Sequence, residues 1–129
     1  MYLADTSLWV AYIRGDSRAI PLRDLISAGA PIASTEPVLM EVEAGAQTQK
    51  AREQDRRLLT GCEWLPFDPV SDFRGAADIY AIARTRGITP SGHVDCMIIA
   101  VALRNNATLL TLDEQQRRVA ELVGVGSVL

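Results

Sequence analysis

Four carboxylates stand where this chain is expected to reverse direction, and together they could hold a metal ion. Asp5 and Asp113 each end an apolar run, whereas Glu41 and Asp95 lie inside apolar stretches. A lone carboxylate is costly to bury in such surroundings. Carboxylates that converge repel one another, and a hard cation such as Mg²⁺ relieves the repulsion. The residue types therefore predict a magnesium site, provided that the fold brings the four side chains together.

Short apolar segments that alternate with helical patterns must position these acids. The patterns predict strands at 1–4, 31–34, 63–66, 108–112 and 126–129. They predict helices at 8–14, 20–28, 49–59, 70–86, 94–105 and 114–123, and one more that opens at 35–37 and carries Glu41. This order is typical of an α/β domain, with a central parallel sheet of four to five short strands flanked by helices, over residues 1–129. Such sheets bind ligands beyond the carboxyl ends of their strands, where Asp5 and Asp113 are expected.

Each of these acids also has an ordinary structural explanation. Asp5 and Asp113 both precede a predicted helix and could cap it, Asp113 as the first residue of an Asp-x-x-Gln capping box. Asp95 falls in the first turn of its helix, where a carboxylate gains roughly 0.3–1 kcal/mol from the helix dipole. Taken one at a time, these explanations compete evenly with a metal site.

The position of Asp95 on its helix favours a functional role. It shares one helical face with three apolar residues, the side expected to meet the core (Ile98, Ile99 and Ala102). A capping residue has no need to face that way. The same analysis does not separate Glu41 from Glu43, because both flank the apolar side of their helix. Helical spacing leaves that choice open.

Composition indicates an ordinary globular domain. The chain has 129 residues, 48% of them hydrophobic and 22% charged, with a net charge of −3. No signal peptide or membrane span is evident, and the two cysteines, Cys62 and Cys96, resemble buried apolar residues more than a disulfide pair. We therefore expect a cytoplasmic protein that does not associate with membranes. The net charge gives no sign of a basic nucleic-acid surface, although a bound cation would offset it.

Four segments in order resemble the PIN-domain ribonucleases of the VapC toxin type, and the resemblance runs essentially from end to end. These segments are Leu3-Ala4-Asp5-Thr6-Ser7, Val38-Leu39-Met40-Glu41-Val42-Glu43-Ala44-Gly45, Val94-Asp95-Cys96-Met97-Ile98-Ile99-Ala100 and Leu109-Leu110-Thr111-Leu112-Asp113. The resemblance assigns the acidic quartet to Asp5, Glu41, Asp95 and Asp113, and thereby selects Glu41 over Glu43. One departure is that Glu114-Gln115-Gln116 follows Asp113 in place of the acidic–aromatic tail of many relatives.

The resemblance implies an Mg²⁺-dependent endoribonuclease, with Mn²⁺ as a possible substitute, that is the toxin of a toxin–antitoxin pair. It also implies an RNA substrate, a homodimer and inhibition by a small VapB-like antitoxin. Carboxylate ligands suit hydrolysis by a metal-activated water, which leaves a 5′-phosphate and a 3′-hydroxyl. We expect Asp5 and Asp95 to be the principal ligands, with Glu41 and Asp113 completing the pocket. Ser7, Thr111 and His93 are candidate supporting groups.

Two alternatives stay open at this point. One is a PIN-fold binding module without catalytic activity, which retention of all four acids disfavours. The other is a different acidic α/β domain of the phosphoryl-transfer or receiver type. A dehalogenase-type phosphatase would need Asp-x-Asp where this chain has Asp5-Thr6-Ser7, and a receiver domain would need a late lysine, whereas the single lysine is Lys50. A metal-free acid–base ribonuclease is disfavoured because His93 is the only histidine.

Overall fold

Five short parallel strands form the sheet, with the first strand at its centre. The computed structural model describes residues 1–128. Its strands are β1 (Tyr2–Ala4), β2 (Ile32–Ser34), β3 (Glu63–Trp64), β4 (Thr108–Leu110) and β5 (Ser127–Val128). They lie in the order β3-β2-β1-β4-β5, and every pairing is parallel. The predicted α/β class with a parallel sheet is confirmed; only Leu129 of the predicted fifth strand lies outside the described residues.

Seven helices cover the sheet and agree with the predicted segments to within two residues at most ends. They are α1 (Thr6–Ile13), α2 (Ile20–Ser27), α3 (Glu36–Gly45), α4 (Gln49–Thr60), α5 (Pro69–Thr85), α6 (His93–Arg104) and α7 (Glu114–Leu122), with a 3-10 turn at Ser17–Ala19. The predicted extents of two strands were wrong. β3 ends before Pro66, which has no N–H for a ladder bond, and β4 ends at Leu110, beyond which the chain turns toward α7.

The order of the strands creates a crevice between β1 and β4. The chain builds outward from β1 to β2 and β3 on one side, then from β4 to β5 on the other. Open α/β sheets bind ligands at such a reversal, beyond the carboxyl ends of the strands. Asp5 follows β1 directly, and its N–H donates a hydrogen bond to the carbonyl of Leu110 at the end of β4 (2.9 Å). The crevice therefore lies at the predicted site.

Helix α6, which carries Asp95, is fixed by its packing against α5. Near its carboxyl end, Arg104 donates from Nε and Nη2 to the buried carboxylate of Asp72 (2.9 and 2.8 Å) and from Nη2 to the carbonyl of Pro66 (2.6 Å). Gly75 allows close approach, since a Cβ there would lie 3.3 Å from that of Ala100. The three apolar residues that share the Asp95 face are fully buried, as predicted (Ile98, Ile99 and Ala102).

No helix within residues 1–128 has the length and apolar character that a membrane crossing requires.

Candidate functional site

Asp5 is a buried carboxylate at the centre of a hydrogen-bond network. It is 3% exposed, and it caps α1 by accepting from the N–H of Leu8 (3.1 Å). Ser7 Oγ donates to its carboxylate (2.8 Å to Oδ1), and Thr111 Oγ1 donates to Oδ2 (2.5 Å). Burial raises the pKa of Asp5, these hydrogen bonds lower it, and the charge of Asp113 raises it; the net shift is upward. The predicted cap is present, but it engages only part of this carboxylate.

Thr111 joins Asp5 to the start of α7. Its Oγ1 accepts a hydrogen bond from the N–H of Asp113 (2.9 Å), and Asp113 Oδ1 in turn caps α7 through the N–H groups of Gln115 and Gln116 (2.9 and 3.2 Å). A strand continuing past Leu112 would have placed Thr111 and Asp113 on one side, but β4 ends at Leu110. The two residues are connected instead through the turn that follows the strand.

Gln116 contributes to the same network from α7, where it is 2% exposed. Its Oε1 position lies 3.0 Å from Thr111 Oγ1, whose single proton is directed to Asp5. An amide with its nitrogen turned toward Thr111 would donate there, and it would pair the Nε2 that otherwise has no partner within residues 1–128. The Asp-x-x-Gln sequence thus forms only half of a capping box, since the Gln116 side chain binds Thr111 rather than the N–H of Asp113.

The structure separates Glu41 from Glu43, which helical spacing did not. Glu41 accepts a hydrogen bond from Thr6 Oγ1 (2.6 Å), at the start of α1 beside Asp5. Glu43 instead pairs with Arg56 on α4 (2.5 Å), and this pairing lowers its pKa. One glutamate therefore faces the crevice, and the other belongs to the packing of α3 against α4.

Asp95 lies in acidic surroundings. Its pKa is raised to about 6, first by burial and then by the charges of Asp113, Glu41 and Asp5, in that order. The other acids accept hydrogen bonds from nearby groups. The carboxylate of Asp95 accepts none from any group in residues 1–128. A partly buried carboxylate among three others, without a donor of its own, has the electrostatic setting of a cation ligand.

The four acids form a loose group. Among the described residues, no three acidic, cysteine or histidine side chains already surround one metal position. Hydrogen bonds hold Glu41 toward Thr6 and one oxygen of Asp113 toward α7. Mutual repulsion keeps carboxylates apart until a cation screens it. That the four acids bind a metal ion remains a prediction, and their carboxylate oxygens are suitable ligands for a hard cation.

Comparison with known proteins identifies the family. The PIN domain family model matches residues 2–122. Ribonuclease VapC11 of Mycobacterium tuberculosis is 38% identical over 128 residues, which cover 97% of this chain and 96% of that protein. A VapC ribonuclease of Mycobacterium bovis matches equally well. This chain is a PIN-domain protein of the VapC family.

Several solved structures share the fold of this chain at low sequence identity. A toxin–antitoxin complex from Klebsiella pneumoniae gives a TM-score of 0.74 at 19% identity and covers 100% of this chain and 97% of that one. VapBC2 from Rickettsia felis, bound to a DNA fragment from its promoter, gives 0.73 at 20% identity, with 99% and 98% covered. At this identity the likeness establishes the fold of the VapC-family chain and no more.

Sequence reasoning missed two residues that position the acids of this VapC-family chain. Thr6 holds Glu41, and the only signal was its place beside Asp5 at the start of a helix. Gln116 was noted as half of a cap, and its burial against Thr111 needed the turn after β4 to be known. The supporting hydroxyls of Ser7 and Thr111 do contact Asp5, whereas His93 forms no hydrogen bond to the quartet and stacks on Tyr80.

The first prediction concerns Thr111, whose hydroxyl links two of the four acids. Thr111→Val removes the donor to Asp5 and the acceptor for the N–H of Asp113, and leaves both groups buried or half-buried. We expect a loss of about 1–3 kcal/mol in the free energy of unfolding, measured by urea denaturation at pH 7. Thr111→Ser keeps the hydroxyl and is the matched control. Equal stability of Thr111→Val and the wild type would contradict the network.

The second prediction concerns pH and the raised pKa of Asp95 in metal-free protein. The folded state holds this proton up to about pH 6, whereas an unfolded aspartate releases it near 3.9. Its contribution is therefore fully present below about pH 4 and is lost as the pH rises through 6. Relative to Asp95→Asn, the wild type should lose on the order of 1 kcal/mol between pH 4 and 7, after allowance for partial exposure.

Urea denaturation in EDTA at several pH values measures this difference. Asp24→Asn is the control, because Asp24 is an exposed acid on α2, and it should follow the wild-type profile. A stability difference between Asp95→Asn and wild type that is constant from pH 4 to 7 would show that Asp95 does not sit among the other carboxylates in solution.

Proposed function

We propose that this chain is a divalent-metal-dependent endoribonuclease and the toxin of a VapBC-type toxin–antitoxin pair. The observation that carries the proposal is a half-buried Asp95 whose pKa is raised by burial and by the charges of the three other acids, in a sheet that reverses its strand order at Asp5. The VapC ribonucleases that align over 97% of this chain support the activity. Family membership also disfavours the receiver and dehalogenase-type alternatives, and the retained quartet disfavours a silent binding module.

The four acids fit a hard divalent cation by their donor chemistry. Asp5 and Asp95 would be the principal ligands, with Glu41 and Asp113 acting directly or through water. Oxygen ligands of this kind accept both Mg²⁺ and Mn²⁺. When bound, such an ion supplies positive charge to the phosphate oxygens and lowers the pKa of a coordinated water. It would also offset the mutual repulsion that raises the pKa of Asp95.

Some side chains of the pocket would orient the acids, and others would take part in the reaction. Ser7, Thr111 and the N–H of Leu8 fix the carboxylate of Asp5, so its orientation is set before substrate arrives. Thr6 orients Glu41, which can receive a proton from the attacking water. Attack by water on phosphorus breaks the bond to the 3′ oxygen, and the products carry a 5′-phosphate and a 3′-hydroxyl.

Regulation by a protein partner follows from the same relatives. Several solved structures of this fold are complexes of a VapC-type toxin with its antitoxin, among them VapBC2 from Rickettsia felis and VapBC from Salmonella typhimurium. We infer that a small VapB-like antitoxin binds this chain and that the toxin forms a homodimer. The substrate of the toxin would be cytoplasmic RNA, because the toxin and its antitoxin are both made in the cytoplasm.

The third prediction tests the nuclease. Purified protein should cleave single-stranded RNA in Mg²⁺ or Mn²⁺, and EDTA or Asp95→Asn should reduce the rate to the background of the buffer. The reason is that EDTA removes the cation, whereas Asp95→Asn removes one of the carboxylates that would hold it. Asp24→Asn, which removes an exposed acid on α2, should cleave at the wild-type rate. Cleavage that persists in EDTA, or in Asp95→Asn, would refute the metal mechanism.

The fourth prediction tests the toxin separately from the nuclease. Induced expression of the wild-type chain in bacteria should arrest growth, since a nuclease without its inhibitor degrades cellular RNA. Asp95→Asn should not arrest growth, and co-expression of the small protein encoded beside the gene should reverse the wild-type effect. Growth curves after induction measure both. Cleavage in vitro without growth arrest would leave the nuclease assignment and remove the toxin assignment.

A further inference from the structure

A cationic and aromatic column runs along the outside of α5 and ends at the first residue of α6. The rings of Tyr80 and His93 stack with centroids 5.1 Å apart and an interplanar angle of 33°. The guanidinium carbon of Arg84 lies 6.0 Å from the centroid of the Tyr80 ring. His93 and Arg84 are exposed, and Tyr80 is half-buried. We refer to Arg84, Tyr80 and His93 as the rim column.

Helix capping does not account for His93. The residue that caps α6 is Gly92, and no side chain caps this helix. An imidazole at the amino end of a helix gains nothing from the dipole, which favours anions there. His93 also forms no hydrogen bond or ion pair within residues 1–128. Its imidazole ring packs against the ring of Tyr80. One face of the imidazole is covered by Tyr80, and the residue as a whole stays exposed.

The rim column begins at the edge of the acidic group. His93 and Asp95 lie two positions apart in the first turn of α6, a rise of about 3 Å along the helix axis, and their side chains leave the helix on different sides. The loop before His93 is also tied to the other side of the crevice, because Gln115 Nε2 donates a hydrogen bond to the carbonyl of Thr89. Asp113 caps the helix that carries Gln115. The column therefore reaches the amino end of α6, the same turn that carries Asp95.

The charge along the column suits a nucleic acid. The positions three and four residues from Tyr80 on α5, which are its helical neighbours, carry no carboxylate (Ala76, Ala77, Ala83 and Arg84). Arg84 forms no ion pair with any residue in 1–128, so its charge is not neutralised. On a protein with a net charge of −3, such a stretch favours the approach of a phosphodiester backbone.

We propose that the rim column binds the RNA strand that flanks the scissile phosphate, with an unpaired base stacked on His93 and a backbone phosphate facing Arg84. This inference rests on the proposed ribonuclease function and names the class of substrate. Aromatic rings and guanidinium planes bind the faces of splayed bases, which a duplex conceals. The column therefore selects an unpaired segment, such as a loop or a single strand, over a duplex.

The test measures cleavage of a short fluorescent single-stranded RNA in Mg²⁺ by wild type, His93→Ala and His93→Phe. Loss of one stacked base should raise KM by about 10-fold, with kcat within about 2-fold of wild type. His93→Phe restores a ring without the imidazole nitrogens and should recover the wild-type KM. The same RNA annealed to its complement should show no difference among the three proteins. Circular dichroism melting confirms that each variant folds.

A second arm measures binding without cleavage, as fluorescence anisotropy of the same RNA on Asp95→Asn protein. Adding His93→Ala should weaken binding by about 10-fold, and adding Arg84→Gln should lower the slope of log affinity against log salt by about 0.7. If the wild type cleaves RNA but His93→Ala has the wild-type KM, or His93→Phe fails to recover it, the rim column is refuted and the ribonuclease stands. If the wild type neither cleaves nor binds RNA, both proposals fall.

Discussion

The arrangement of this molecule depends on a carboxylate held where the sheet reverses. Asp5 is buried between β1 and β4, and three donors from two parts of the chain fix its orientation (Leu8 N–H, Ser7 and Thr111). Burying a carboxylate is costly, and the hydrogen bonds offset that cost only in part, since the pKa of Asp5 remains raised. The fold therefore maintains an acidic group that its own stability does not require.

The remaining acids are placed by elements that meet at this point, and their roles differ accordingly. Asp5 and Asp113 each accept hydrogen bonds that cap a helix, α1 and α7 respectively. Asp95 accepts no hydrogen bond within residues 1–128, and its pKa is raised by burial and by the three other charges. Hydrogen bonds fix the orientation of Asp5 and Asp113. Asp95 has no such donor, so its carboxylate is free to interact with a charge that enters the pocket. This division would suit the proposed role, in which the site holds a cation and still releases products.

Local sequence was sufficient for some of this arrangement. Apolar runs predicted the strands, and the periodicity of α6 predicted that Asp95 faces the core, because both depend on neighbours only a few residues away. The choice between Glu41 and Glu43 depended on Thr6 and Arg56, which lie on other helices. The spacing of residues along α3 cannot predict contacts with other helices. Before the fold was known, only the family resemblance therefore distinguished Glu41 from Glu43.

The turn after β4 shows why the finer geometry required the structure. A strand through Leu112 would have placed Thr111 and Asp113 side by side, with Gln116 left to complete a capping box. The strand ends two residues earlier, and Thr111 then takes the hydrogen bond from the Asp113 N–H that the box reserves for Gln116. Gln116 is instead buried against Thr111. A glutamine in this place gives Thr111 a hydrogen-bond partner, which an aromatic ring would not supply.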